Sequence, residues 1–162
     1  MIEMELVGVR VEFPGPAPIV LLKETNERGL VLPIFIGNAE ANAIDIHLRN
    51  ASPPRPMTHD LFATALKEMN ASLTKVVVTE IDDKTFFAEI HFETVDGTKT
   101  ISSRPSDAIA LAVRMSSPIY AEEAVLAAAG HKIREDIEDS EEDVLSEFRD
   151  FLDDVSPEDF SA

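Results

Sequence analysis

The chain has 162 residues, 44% hydrophobic and 28% charged, which is the composition of a globular protein that can bury a core. Its net charge of −17 excludes a cationic surface that holds nucleic acid by neutralising phosphates. The lack of cysteine excludes disulfides, thiolate catalysis and zinc–thiolate sites. No apolar run approaches the ~20 residues of a membrane span, and residues 1–5 lack the basic start of a signal peptide. We therefore expect a cytoplasmic protein with no membrane contact.

Alternating hydrophobic residues predict strands in the first part of the chain. The alternation over residues 2–13 changes phase at Gly8, which indicates one strand with a bulge. Residues 19–22 and 30–36 are predicted to form a hairpin, because turn-forming residues separate them. Pro33 cannot donate to a strand ladder, so its strand is expected at a sheet edge or at a bulge.

Two helices are predicted next. Asn38 is expected to cap the first, with Glu40 in its first turn. A proline-rich loop over residues 52–56 cannot continue that helix. The second helix is predicted over residues 58–69. Its apolar face is expected to contain Leu61, Phe62, Ala65, Leu66 and Met69.

The rest of the body mixes strands and helices. Strands are predicted at residues 76–78, 86–92, 98–102 and 118–120, and helices at residues 105–115 and 122–129. Asp96 and Gly97 form a strong turn signal between two of these strands. Because strands and helices do not alternate regularly, the order predicts an α+β fold.

The last part of the chain is strongly acidic. Residues 134–162 contain 13 acidic and 2 basic residues, whereas residues 1–133 contain 18 and 12. We therefore divide the chain into a domain over residues 1–133 and an acidic tail over residues 134–162. Apolar residues recur in the tail at helical spacing: Val144, Leu145, Phe148, Phe151, Leu152 and Val155. This amphipathic helix must bury its stripe on its own body, on another subunit or on a partner protein, and the first two are favoured.

Two segments place polar chemistry at the start of a predicted helix. Residues 55–60 supply Arg55, Thr58, His59 and Asp60. Residues 103–107 likewise supply an arginine, hydroxyls and an aspartate, but no histidine. Free backbone N–H groups and the helix dipole attract anions at a helix N-terminus. The ordinary alternative is that Thr58 and Ser103 or Ser106 are helix caps and that the acids only complement the helix dipole.

Together these segments suggest phosphodiester chemistry. His59, Asp60 and Asp107 are the candidate catalytic residues, acting as general acids or bases. Candidate phosphate ligands are Arg55, Arg104, Thr58 and Ser106. Glu40, Asp60 and Asp107 are candidate metal ligands, and carboxylates without thiols would favour Mg²⁺ or Mn²⁺.

Residues 1 to about 133 resemble the bifunctional nuclease domain family. The resemblance is carried by residues 32–41 (LPIFIGNAEA), residues 55–61 (RPMTHDL) and residues 103–112 (SRPSDAIALA). It implies a compact α+β domain with a curved, barrel-like mixed sheet packed by helices. It also implies a nuclease that hydrolyses both DNA and RNA.

We therefore expect a nuclease that acts on DNA and RNA, with possible assistance from a divalent metal, and that forms a homo-oligomer. The acidic helical tail is expected to support the fold or the oligomer and is a potential contact for a protein partner. The competing expectation is a module without catalysis that binds an anion or a partner and acts in regulation or assembly. Catalysis requires the two polar segments to meet in space, whereas anion binding requires only one of them.

Overall fold

The computed structural model describes residues 1–10 and 17–132, which form one α+β domain. The strands are β1 (Ile2–Arg10), β2 (Ile19–Glu24), β3 (Val31–Phe35), β4 (Ser72–Asp82), β5 (Thr85–Thr94), β6 (Gly97–Ser103) and β7 (Ile119–Ala121). The helices are α1 (Asn38–Leu48), α2 (Thr58–Glu68), α3 (Pro105–Met115) and α4 (Glu123–Ala129). The predicted fold class and order of elements are confirmed.

The strands form one mixed sheet in the order β3-β2-β1-β7-β4-β5-β6. Neighbouring strands are antiparallel except β4 and β7, which run parallel. The short strand β7 therefore joins the β1–β3 half to the β4–β6 half. The predicted mixed sheet is confirmed, but it does not close into a barrel. The strands β3 and β6 lie at its two ends and do not pair with each other.

The first half of the sheet contains two predicted irregularities. The register between β1 and β2 shifts between Leu6 and Gly8, which confirms the bulge. Pro33 lies in β3, at the edge of the sheet, as its missing N–H predicted. Residues 11–13, the predicted end of the first strand, lie outside the described residues.

The second half of the sheet follows the alternation in its sequence. In β5 the side chains of Phe86, Ala88, Ile90 and Phe92 are buried, as predicted from the two-residue period. Gly97 follows the turn with φ +100°, a conformation that side chains rarely adopt. The predicted turn between β5 and β6 is confirmed one residue earlier, at Val95 and Asp96, and Gly97 pairs with Thr94 as the first residue of β6.

Helix α3 forms the centre of the core. Its residues from Ala108 to Ala112 are all buried, and it contacts α1, α2, β4 and β5. Three of those five residues are alanine, and small side chains let neighbouring elements approach closely. The start of α3, and of the helices packed on it, is therefore fixed by the core.

The predicted starts of α2 and α3 at residues 58 and 105 are confirmed, but the predicted cap residues are not. The N-caps of α1, α2 and α3 are Gly37, Met57 and Arg104, so the caps predicted at Asn38, Thr58 and Ser103 or Ser106 are wrong. In α2 the stabilising contact comes from a carboxylate in the first turn. The Met57 N–H donates to Asp60 Oδ2 at 2.9 Å. A hydroxyl at the cap is not needed when this acid reaches back.

The predicted apolar face of α2 is mostly on the surface. Leu61, Phe62, Ala65 and Met69 are exposed, and of the predicted set only Leu66 is buried. The helix instead packs on α3 through Leu66 and Ala63. The sequence predicted the apolar arc of the helix but not which part of it the core covers.

The predicted tail helix, like all residues from 133 onward, lies outside the described residues. In the part of the chain that the structure describes, no helix is long and apolar enough to cross a membrane.

Candidate active site

Side chains from the first turns of three helices meet at one place. Glu40 is the third residue of α1, His59 is the second residue of α2, and Asp107 is the third residue of α3. Arg104, the N-cap of α3, lies among them. The two polar segments predicted from sequence therefore come together in space, and we call these four residues the His59 network.

His59 and Asp107 form the central contact of the network. His59 Nε2 lies 3.1 Å from Asp107 Oδ1, within hydrogen-bonding distance. In a neutral imidazole, a proton on Nε2 donated to this carboxylate leaves Nδ1 with a free lone pair. No other hydrogen bond joins His59 to a described residue. The pair therefore has the geometry of a base oriented by an acid.

Arg104 holds the same carboxylate from the other side. Its Nε donates to Asp107 Oδ2 at 2.7 Å, and its Nη2 donates to Glu40 Oε1 at 2.7 Å. The third nitrogen, Nη1, donates to no described residue. The Arg104 side chain is 65% exposed. Two carboxylates thus orient a guanidinium that still offers donors to solvent.

Glu40 is placed by the close approach of Gly37. The Glu40 carboxylate lies over Gly37, where a Cβ would collide with Glu40 Oε2. The glycine therefore leaves room for the carboxylate to fold back over the start of α1 and reach Arg104. Glu40 is only 15% exposed at its side chain, so its rotamer is restricted by its surroundings.

The charges of the network are balanced by hydrogen bonds. Burial raises the pKa of Asp107, but hydrogen bonds from Arg104 and His59 outweigh burial and hold that pKa below its usual value. Hydrogen bonds to Asp107 and Glu40 raise the pKa of Arg104. The positive ends of three helix dipoles also point toward this place and favour negative charge. Asp107 is therefore ionised at neutral pH and accepts a hydrogen bond from His59 Nε2–H.

Asp60, predicted as a catalytic residue and metal ligand, belongs to a different network. Its Oδ1 accepts a hydrogen bond from Arg114 Nε at 2.6 Å, and its Oδ2 accepts from the Met57 N–H. Burial raises the pKa of Asp60, and these two hydrogen bonds lower it further than burial raises it. Both oxygens are engaged in holding α2 in place.

The predicted phosphate ligands differ in their positions. Arg104 belongs to the His59 network, and Thr58 is exposed beside His59 at the start of α2. Ser106 is buried, so its hydroxyl is not available to a phosphate in this conformation. Arg55 is exposed in the loop before α2, and no hydrogen bond or ion pair joins it to another described residue.

The predicted metal ligands are not gathered into one site. Within residues 1–10 and 17–132, no group of three histidine or acidic side chains is placed to hold a metal ion. Glu40 and Asp107 both face Arg104, and Asp60 faces Arg114. Because a guanidinium occupies the position that a cation would take beside each carboxylate, these residues do not fit the predicted Mg²⁺ or Mn²⁺ centre.

Arg114 is the residue that the sequence interpretation missed. Its side chain is 5% exposed and donates to Asp60, to the Ala110 carbonyl oxygen at 2.8 Å and to the Ala43 carbonyl oxygen at 2.9 Å. It thus connects α1, α2 and α3, the three helices whose starts carry the His59 network. The available signal was its position seven residues after Asp107, which places both on one face of α3.

Fold and site together define an α+β domain with a histidine, a carboxylate and an arginine at three converging helix starts. The family model of the bifunctional nuclease domain matches residues 20–134. The chain therefore belongs to the bifunctional nuclease domain family, as the resemblance implied. A Mycobacterium tuberculosis protein whose name states no activity is 42% identical over 99% of this chain and 98% of its own length.

Relatives named as nucleases are more distant. Bifunctional nuclease 2 of Arabidopsis thaliana is 30% identical over 65% of this chain, and bifunctional nuclease 1 of the same plant is 29% identical over 65%. In both cases the match covers 33% of the plant protein. Family membership is thus shown over the domain, and the named activity belongs to longer proteins.

Proposed function

We propose that this protein is a nuclease that hydrolyses phosphodiester bonds in DNA and RNA. The observation that carries the proposal is the 3.1 Å contact between His59 Nε2 and Asp107 Oδ1, with Arg104 on the same carboxylate. A base, its orienting acid and a phosphate-binding cation are the groups that phosphodiester hydrolysis requires. The named activity of the plant relatives supports the same choice.

In this mechanism His59 acts as the general base. The ionised Asp107 carboxylate accepts a hydrogen bond from Nε2–H and thereby keeps the lone pair on Nδ1. Nδ1 removes a proton from a water molecule as the water oxygen attacks phosphorus. A new P–O bond forms, the bond to the leaving oxygen breaks, and that oxygen takes up a proton from the protonated histidine or from water. A water nucleophile explains how one site serves both DNA and RNA, since DNA lacks a 2′-hydroxyl.

Arg104 binds and stabilises the phosphate in this proposal. Its exposed guanidinium donates to a non-bridging phosphate oxygen, on which negative charge grows in the transition state. Glu40 keeps the guanidinium in position, so it is a positioning residue. The helix starts of α2 and α3 supply further positive potential, which offsets the two carboxylates of the network.

The test is cleavage of labelled single-stranded DNA and RNA by the purified protein and by a His59→Gln variant. We expect the variant to cleave both substrates about 10²–10⁴-fold more slowly, the usual contribution of a general base. His91→Gln is the matched control, because His91 lies on β5 and pairs with Glu89 and Thr100, away from the network. Equal cleavage by the wild-type protein and the His59 variant would contradict the proposal.

A chelator separates this mechanism from a metal-dependent one. Because the described carboxylates face guanidinium groups, we expect cleavage to persist in EDTA and to change little when Mg²⁺ or Mn²⁺ is added. If EDTA abolishes the activity and Mg²⁺ restores it, the metal-independent mechanism is wrong and the carboxylates act as metal ligands.

A module without catalysis remains the second candidate, and one observation favours it. The described side-chain hydrogen bonds of the His59 network all join its own four residues, as in a structural contact between helices. If purified protein binds an anion at Arg104 but cleaves neither substrate, this second function is correct. The cytoplasmic location and the homo-oligomer stay predictions from the sequence.

A further inference from the structure

Helix α2 carries an apolar stripe that the described fold leaves uncovered. Leu61 is 62% exposed, Phe62 43% and Met69 72%, and Ala65 lies between them, also exposed. Their spacing places all four on one side of the helix, next to the side that Ala63 and Leu66 bury on α3. We call this set the α2 stripe. Contiguous exposed apolar surface of this kind marks a site of contact.

The same chain contains a second apolar stripe of similar length. Residues 144–155 lie outside the described residues, and their sequence predicts an amphipathic helix with apolar positions every three to four residues. Such a helix spans roughly 18 Å, against about 16 Å for α2, at the usual rise per residue. The α2 stripe thus has a counterpart of matching length that the sequence predicts in the same chain, and no described residue covers the α2 stripe.

The connecting segment is long enough to bring the two stripes together. The described residues end at Lys132, after His131 pairs with Val31 at the edge of the sheet. Residues 133–143 span up to about 36–40 Å when extended. A domain of this size is roughly 36 Å across. The connecting segment is therefore long enough for residues 144–155 to reach any face of the domain without a change in the fold.

Tethering favours this segment over a second copy of the chain. A segment on a short flexible linker has an effective concentration in the millimolar range. At about micromolar protein, the concentration of a second molecule is roughly 1,000-fold lower than this effective concentration, so contacts of equal strength form between molecules roughly 1,000-fold less often. The α2 stripe is therefore expected to be occupied within one molecule before it is occupied between molecules.

We infer that the apolar side of residues 144–155 docks on the α2 stripe of the same molecule. The contact buries Phe148 and its apolar neighbours against Phe62 and Ala65 and leaves the acidic side of the tail in solvent. It does not depend on whether the protein cleaves nucleic acid.

The absence of cysteine in this chain allows a direct test by thiol protection. Ala65→Cys places one thiol at the centre of the α2 stripe. Lys67→Cys places one on the same helix at an exposed position outside the stripe, as the matched control. The rate of reaction with a thiol reagent is measured for each in the full-length chain. We expect the thiol at position 65 to react at least about tenfold more slowly, which corresponds to ~90% docking.

A substitution in the tail identifies the occupant. Phe148→Ser should restore fast reaction at position 65, whereas Glu147→Ser, a change on the neighbouring polar position, should not. Equal rates at positions 65 and 67 would overturn the inference, because the stripe would be free. Protection that increases with protein concentration and ignores Phe148→Ser would overturn it in favour of a second copy. Protection that ignores both concentration and Phe148→Ser would overturn it as well.

Discussion

The carboxylates of Asp107 and Glu40 hold the Arg104 guanidinium in position, and a lysine could not make the same hydrogen bonds to both. Arg104 donates to Asp107 through Nε and Nη2 and to Glu40 through Nη2, and its Nη1 donates to no described residue. An ammonium group offers a single point charge and no planar fork. We expect Arg104→Lys to lower kcat/KM for DNA and RNA about 10–100-fold while the melting temperature changes little, because the side chain is mostly exposed. Unchanged kcat/KM would show that Arg104 does not touch the phosphate.

Gly37 offers a way to move Glu40 without removing its charge. A methyl group at position 37 would meet Glu40 Oε2, which sits at the far end of a flexible side chain. We therefore expect Gly37→Ala to fold normally but to weaken the contact between Glu40 and Arg104. Cleavage should fall toward the level of Glu40→Gln, and combining the two changes should add little further loss. Full activity in Gly37→Ala would show that Glu40 does not position Arg104.

At the scale of single residues, the sequence predicted which types of side chain meet but not how they pair. His59, Arg104 and Asp107 were named because they stand at helix starts, and the fold brings them together. Asp60 stands beside His59 in the same motif, yet it faces Arg114. Neighbouring residues on a helix point about 100° apart, so one can join a site while the next supports the core. That choice depends on which helix packs on which face.

The three helices around the site are connected by one buried arginine. Removing the Arg114 guanidinium takes one donor from Asp60 Oδ1 and one from the Ala43 carbonyl oxygen. We expect Arg114→Met to lower the free energy of unfolding by about 2–3 kcal/mol, measured by urea denaturation. Arg49→Met is the control, since Arg49 lies on the surface with a local ion pair to Asp45 and should change stability little. Equal stability of the two variants would contradict this role for Arg114.

At the scale of elements, the strands were easier to predict than which face of each helix is buried. The period of β5 and the turn before Gly97 are local signals, and both were confirmed. The apolar arc of α2 can also be predicted from its local sequence. Its burial depends on where α3 packs, and the local sequence does not determine that. The α2 stripe is therefore a surface that the sequence suggested as core. The predicted cap of α2 was wrong for a local reason, because the Asp60 carboxylate rather than a hydroxyl accepts the hydrogen bond at the start of the helix.

The whole molecule contains carboxylates whose ionised form is stabilised by folding. Glu24 is buried at the end of β2, where burial raises its pKa and hydrogen bonds from Arg28 and the Leu30 N–H lower it by more. Arg28 also pairs with Glu123 of α4, so this contact joins the β2–β3 hairpin to the helix. Asp60 and Asp107 likewise have lowered pKa values.

These lowered pKa values make stability dependent on acid pH. In the unfolded chain the groups titrate near their ordinary values, 3.8 for Asp and 4.5 for Glu. The stabilisation is present above those values and is lost as pH falls through the lower folded values. We expect the melting temperature to decrease steadily below about pH 4.5. Asp60→Asn should lower it at pH 7 and weaken the acid dependence, and an unchanged slope would contradict this account.

The central claim is that His59 and Asp107 act as one unit, and a double-mutant cycle tests it most directly. The measurement is kcat/KM for cleavage of one labelled oligonucleotide by the wild-type protein, His59→Gln, Asp107→Asn and the double variant. If Asp107 acts by orienting His59, its loss should matter little once His59 is gone. Because Asp107 also orients Arg104, we predict that adding Asp107→Asn to His59→Gln slows cleavage by a much smaller factor than Asp107→Asn does in the wild-type protein. Losses that multiply in the double variant would contradict the claim, because the two residues would then act independently.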